Sequence, residues 1–133
     1  METCGIKTVF WGYDFLKYNN LAKLFTFPNG IIAFIAIVES EALQLHALMM
    51  SGRTPFILME PGTITLIKEI WQFRKETGIP VCFTLDAGPN VHLLYPNEYS
   101  PAVMDWVDSE LTPYCAQGKY ILDNVGSGPE KIS

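Results

Sequence analysis

Over residues 31–50 the apolar positions recur every three or four residues. Ile31, Ile35, Val38, Ala42, Leu45 and Met49 fall on one stripe, and Glu39, Glu41 and Gln44 fall off it. That period predicts a helix that buries the stripe. The β-branched start (Ile31, Ile32, Ile35) also suits a strand, but the length favours a helix. Ser51-Gly52 ends it and Thr54-Pro55 begins a loop. A second helical period covers about residues 63–77, with Thr63 as its cap after Pro61-Gly62. Ile67, Ile70, Trp71 and Arg74 share a face there, the Arg stem lying along apolar surface. Arg74 and Lys75 suit the negative end of the helix dipole, and Gly78 supplies the stop.

The period then changes from helical to alternating. In residues 79–85, Val81, Phe83 and Leu85 alternate with Cys82 and Thr84, and Pro80 fits the first position of a strand. Asp86-Ala87-Gly88-Pro89-Asn90 is turn chemistry, and residues 91–95 are apolar again. Two strands around five turn residues predict an antiparallel hairpin. Ser100-Pro101 then reads as a helix start, with Ser100 as N-cap and Pro101 first in the helix. Met104, Val107 and Leu111 form its inner stripe, Asp105, Asp108 and Ser109 face out, and Thr112-Pro113 ends it. Residues 119–125 read as a last short strand, stopped by Gly126-Ser127-Gly128-Pro129. Residues 1–30 are rich in aromatics without clean periodicity; residues 16–25 are compatible with a short helix, and Pro28-Asn29-Gly30 with a turn. The simplest closure is an α+β fold, a small, mainly antiparallel sheet with helices packed on one face. The division expected is a poorly patterned segment, residues 1–30, followed by one domain over residues 31–133.

Composition narrows the class. The chain has 133 residues, the size of one domain. At 49% apolar and 17% charged it is too apolar to be disordered. The longest unbroken apolar run, residues 31–38, is well short of the roughly 20 residues that cross a bilayer, so no membrane span or membrane partner is expected. The N-terminus lacks a basic-then-apolar signal pattern, which predicts an intracellular, cytoplasmic protein. The net charge of −5 argues against a nucleic-acid partner, because a phosphate backbone needs a basic footprint. No Lys or Arg occurs between Lys75 and Lys119, a stretch that holds Glu76, Asp86, Glu98, Asp105, Asp108 and Glu110. If the chain handles a phosphorylated ligand, most of the neutralising charge must come from outside that stretch.

Candidate chemistry centres on Asp86. It ends an apolar strand at the mouth of the hairpin, and a carboxylate there is fixed and partly desolvated. Ala87 and Gly88 leave a ligand room to approach the backbone. A general base needs a fixed position and access to a substrate proton. The plainer alternative is an Asx-turn, with the side chain bonded to a turn N–H. His46 is placed at the edge of the core rather than as a ligand. His92 is placed on the less buried face of the sheet, with a cleft near Asp86 as the alternative. Cys4, Cys82 and Cys115 are odd in number and far apart. With no Cys-x-x-Cys and two histidines, neither a disulfide framework nor a metal site is expected. Gly126-Ser127-Gly128 lacks the Lys-Ser/Thr of a phosphate loop, and Met49-Met50 reads as core material.

The segment from Gly78 to Tyr95, built on Asp86-Ala87-Gly88-Pro89-Asn90 between two strands, resembles the late motif of mevalonate diphosphate decarboxylases, in the GHMP kinase superfamily. The stretch 36–50 resembles the preceding helix. Asp123-Asn124-Val125-Gly126-Ser127-Gly128-Pro129-Glu130 resembles the closing segment in Bacteroidetes-type members. The resemblance covers about residues 33–130 and implies the GHMP kinase C-terminal domain, with the N-terminal half of the enzyme absent. It implies an ATP- and Mg2+-dependent enzyme of isoprenoid biosynthesis. Such an enzyme phosphorylates the 3-hydroxyl of mevalonate diphosphate, then releases phosphate and CO2 to give isopentenyl diphosphate. It assigns Asp86 as catalytic base or orienting group and Ala87 as a backbone contact to substrate, with Gly88, Pro89 and Asn90 shaping the turn. The family's phosphate loop, catalytic Ser and substrate-binding Arg and Lys residues have no counterpart here. The expectation is therefore a truncated, inactive part of the enzyme that binds neither ATP nor metal alone. The alternatives are a phosphomevalonate decarboxylase, or a non-catalytic α+β module that assembles, as a homodimer or otherwise, through exposed apolar surface.

Overall fold

The computed structural model describes residues 6–11, 30–124 and 129–132. The short helix over residues 16–25, most of the Pro28-Asn29-Gly30 turn and the stop at residues 126–128 lie outside the described residues. The elements, in chain order, are β1 (Ile6–Trp11), α1 (Gly30–Ser51), α2 (Pro61–Thr77), β2 (Cys82–Leu85), β3 (Val91–Pro96), α3 (Ser100–Trp106) and β4 (Tyr120–Asn124). The fold is α+β, helices against a four-stranded sheet in the order β2-β3-β1-β4.

The hairpin β2–β3 is antiparallel, as its five-residue turn requires. β1, where the sequence shows no clean alternation, enters between β3 and β4 and runs parallel to both. The sheet is therefore mixed, which corrects the expectation of a mainly antiparallel one. A tight turn forces antiparallel pairing, but β1 is separated from β3 by residues 12–90, which include α1, α2 and β2, and is free of that constraint.

Strand alternation divides the hairpin into two faces. Phe83, Leu85, Val91, Leu93 and Tyr95 point into the main core, against Leu66, Ile67 and Ile70 of α2 and Val103 and Trp106 of α3. Cys82, Thr84, His92 and Leu94 point the other way. α1 lies along β2 and joins both sides. Its Ala42 belongs to the main core, while its Ile35 packs with Cys82, flanked by Ile31, Phe34 and Leu94. The helices are thus not confined to one face, because α1 wraps the free edge of the sheet.

The buried line of α1 runs Ile35, Glu39, Ala42, His46. It shares Ile35 and Ala42 with the apolar stripe but is rotated from it by about 50°, at 100° per residue. Leu45 is exposed, and Glu39 is inside. The reason is bonding. Arg74 Nη1 donates to Glu39 Oε1 at 2.6 Å, Arg74 Nη2 to Oε2 at 3.1 Å and Trp71 Nε1 to Oε2 at 2.9 Å. Arg74 Nη1 also donates to the Val81 carbonyl at 2.8 Å. Buried polar groups with partners outcompete apolar groups placed one position away. By length and composition α1 is able to cross a bilayer, which corrects the expectation drawn from unbroken apolar runs. Its buried, bonded Glu39 and His46 nonetheless build it into this domain.

Two helix starts also differ from expectation. α2 begins at Pro61, and Thr63 is its third residue: the Glu60 N–H donates to Thr63 Oγ1 at 3.2 Å, and the Thr63 N–H to the Glu60 carbonyl at 3.0 Å. Ser100 is already helical rather than capping, because a 3-10 turn over Asn97–Tyr99 leads into α3. The stop of α2 is as expected. Gly78 adopts φ 72° and its N–H donates to the Arg74 carbonyl at 2.9 Å. Gly78→Ala is expected to lower stability by about 1 kcal/mol, read as a urea midpoint shift, because an L side chain resists that conformation.

Cys82 is fully buried, and burial first, then the Glu39 carboxylate, pushes its thiol from 9.0 up to about 12, with Arg74 opposing. The unfolded thiol loses its proton above about pH 9, and the folded one only near 12. The stabilisation is therefore complete below pH 9 and lost progressively between pH 9 and 12. Iodoacetamide at about pH 8 is expected to spare Cys82 in the folded chain and alkylate it in urea, read by mass spectrometry.

Candidate active site

Asp86 follows directly on β2, and the hairpin register dictates its neighbour. Leu85 pairs with Val91 and Thr84 with His92. Asp86 continues the face of Thr84, so the first residue of the turn and the second of β3 lie diagonally on that face. His92 Nε2 donates to Asp86 Oδ2 at 2.8 Å. His92 therefore lies on the sheet's less buried face, as expected, and meets Asp86 there. The contact also separates Asp86 from a plain Asx-turn, since this carboxylate oxygen bonds to an imidazole and not to a turn amide.

The Asp86 side chain is 74% exposed, against 16% for His92. The expectation that neighbouring residues desolvate the carboxylate is therefore corrected, because the turn projects beyond the end of the strands. Ala87 and Asn90 are exposed, and Gly88 and Pro89 are half-buried. An added Cβ at Gly88 would meet no atom within 4 Å, so the turn's backbone is open to a ligand on this side.

Beneath the turn the polar groups are buried. The Gly88 N–H donates to the Asp86 carbonyl at 2.8 Å. His46 Nε2 donates to the same carbonyl at 2.9 Å. Thr63 Oγ1 donates to the Pro89 carbonyl at 2.6 Å. His46 is thus a buried residue of the core, deeper than the edge position expected. Sequence alone missed its contact with the turn, 40 positions away. As a predicted cap, Thr63 gives no hint of its bond to Pro89. The signal available in both cases was a polar residue falling on a helix's inward line.

Among the described residues no group of three or more His, Cys, Asp or Glu is arranged to hold a metal ion. Residues 76–118 hold no Lys or Arg, so a cation near the turn has to come from another segment, and β1 sets Lys7 in register with His92.

The model of the mevalonate 5-diphosphate decarboxylase C-terminal domain matches residues 30–132. The mevalonate 3,5-bisphosphate decarboxylase of Thermoplasma acidophilum is 29% identical over 92 residues, which cover 68% of this chain and 22% of that protein. The phosphomevalonate decarboxylase of Haloferax volcanii is 28% identical over 75 residues, covering 56% and 23%. A solved structure of MDDEF in complex with MVAPP superposes with a TM-score of 0.58 at 28% identity, over 73% of this chain and 29% of that one. The mevalonate pyrophosphate decarboxylase from Streptococcus pyogenes shares the fold, with a TM-score of 0.60 at 22% identity over 71% and 29%. The chain spans about a quarter of the length of these relatives. Matched over residues 30–132, most of its length, the chain belongs to the mevalonate 5-diphosphate decarboxylase C-terminal domain family.

Proposed function

We propose that this chain is the C-terminal part of an ATP-dependent decarboxylase acting on a phosphorylated mevalonate, mevalonate diphosphate by the motif, and that Asp86 is its acting carboxylate. The observation that carries this is the Asp86–His92 pair at an open turn. One carboxylate oxygen is held by the imidazole, and the other is free to face a substrate hydroxyl. A tertiary alcohol is a poor nucleophile, and a fixed carboxylate that accepts its proton as the oxygen attacks lowers that barrier. Ala87 presents its backbone to the substrate beside Asp86, while Gly88, Pro89 and Asn90 shape the turn. The groups that hold ATP, Mg2+ and the substrate's phosphates belong to protein outside these residues. The domain so proposed includes β1 together with residues 31–133, and a cytoplasmic location is part of the same proposal.

The chain alone is expected to release no CO2 above background with ATP, Mg2+ and mevalonate diphosphate. Mixing it with a separately produced N-terminal portion of a decarboxylase relative is expected to restore ATP-dependent CO2 release. No restoration with any such portion, although the two parts bind each other, would sink the reading. The exposed Ile37 and Leu48 on the outer side of α1 favour a second reading, an assembly module that associates through that face. That reading predicts association without restored activity.

A further inference from the structure

The turn that carries Asp86 is held from below at both ends. His46, from α1, is 1% exposed and donates through Nε2 to the Asp86 carbonyl. Thr63, from the first turn of α2, is 0% exposed and donates through Oγ1 to the Pro89 carbonyl. With the Gly88 N–H on the same oxygen, the Asp86 carbonyl accepts two hydrogen bonds, one for each lone pair. The carboxylate itself projects into the open, so its position depends on its own backbone and on His92.

We propose that His46 is a positioning residue for Asp86, and that with Thr63 it forms a two-point clamp on the Asp86-to-Pro89 turn. This rests on the reading of Asp86 as the acting carboxylate. A base must hold its oxygen within about half an ångström of the productive place, and a short side chain on a loose turn does not. Burying an imidazole costs free energy unless it bonds, and an apolar residue would fill the same volume without that cost. The bond His46 makes is to the one backbone carbonyl from which the carboxylate is hung. The clamp requires the imidazole to carry its proton on Nε2. It also joins three elements at the site, because α1 and α2 each send one buried donor to the same turn.

The test uses the full chain labelled with nitrogen-15. Long-range imidazole correlations are expected to show His46 protonated on Nε2; protonation on Nδ1 alone would overturn the proposal. Gly88 amide exchange reads the turn, since its acceptor is the carbonyl that His46 holds. His46→Leu is expected to speed Gly88 exchange about tenfold relative to the β2–β3 ladder amides, the size of one net hydrogen bond. His46→Gln places an amide N–H near the same point and is expected to restore most of the protection. Acceleration spread evenly over the sheet, or no change at Gly88, would mean a packing role only and would overturn the clamp. Should His46→Leu not fold, His46→Gln and Thr63→Val decide. Protection at Gly88 kept in the first and reduced in the second supports the clamp, and any other pattern rejects it. These readouts need no activity, so a failure of the clamp is separate from a failure of Asp86 as the base, which activity alone decides.

Discussion

Asp86→Asn is expected to lower kcat of the complemented enzyme by about 10²–10⁴-fold, the span that a positioned general base contributes. The substitution is close to isosteric. The amide oxygen still accepts from His92, so the turn keeps its shape and the loss reports the missing base and not a collapsed scaffold. On the proposed role, in which the carboxylate acts on the reacting hydroxyl and the phosphates are gripped elsewhere, KM is expected to change by less than about threefold. The urea midpoint of the isolated chain should hold to within about 0.5 kcal/mol, as for other exposed substitutions. A kcat within about threefold of the unsubstituted enzyme would remove Asp86 from the chemistry.

Glu39→Leu is expected to destabilise the chain by about 3 kcal/mol, the largest stability effect anticipated here. The Glu39 carboxylate takes two bonds from Arg74 and one from the Trp71 indole, and Arg74 also holds the Val81 carbonyl just before β2. One side chain therefore ties α1 to α2, and through Arg74 to the start of the hairpin. Removing it leaves a largely buried guanidinium without its counter-charge, a loss of about 3–5 kcal/mol when a buried pair is broken from one side. Arg74 keeps some contact with water, which places the expectation at the lower end. The double replacement Glu39→Leu with Arg74→Met is expected to recover much of the loss, since neither charge is then stranded. The check is urea unfolding with an unchanged slope; single and double variants that are equally unstable would show that packing, not the pair, dominates.

Much of this was legible in the residues themselves. The period of α1, the Gly78 stop, the hairpin around Asp86 and the alternation of Val81, Phe83 and Leu85 depend on local chemistry, and local chemistry is written in neighbouring positions. The Asp86–His92 pair was nearly legible too, because a five-residue turn closed by Leu85 and Val91 puts positions 86 and 92 on one face. β1 was not, since a strand recruited in parallel owes its place to partners distant in sequence. Nor was the inward turn of Glu39, which depends on Arg74 and Trp71, 35 and 32 positions away.

The order of residues thus decided the helices α1 and α2, the antiparallel hairpin and the family motif at its tip, because each arises from contacts between near neighbours. Tertiary structure alone decided that the Asp86 carboxylate stands in the open, and that two buried donors from different helices grip the backbone beneath it. Burial and hydrogen bonding between distant segments are properties of the closed fold, and no local pattern encodes which carbonyl a core histidine will meet.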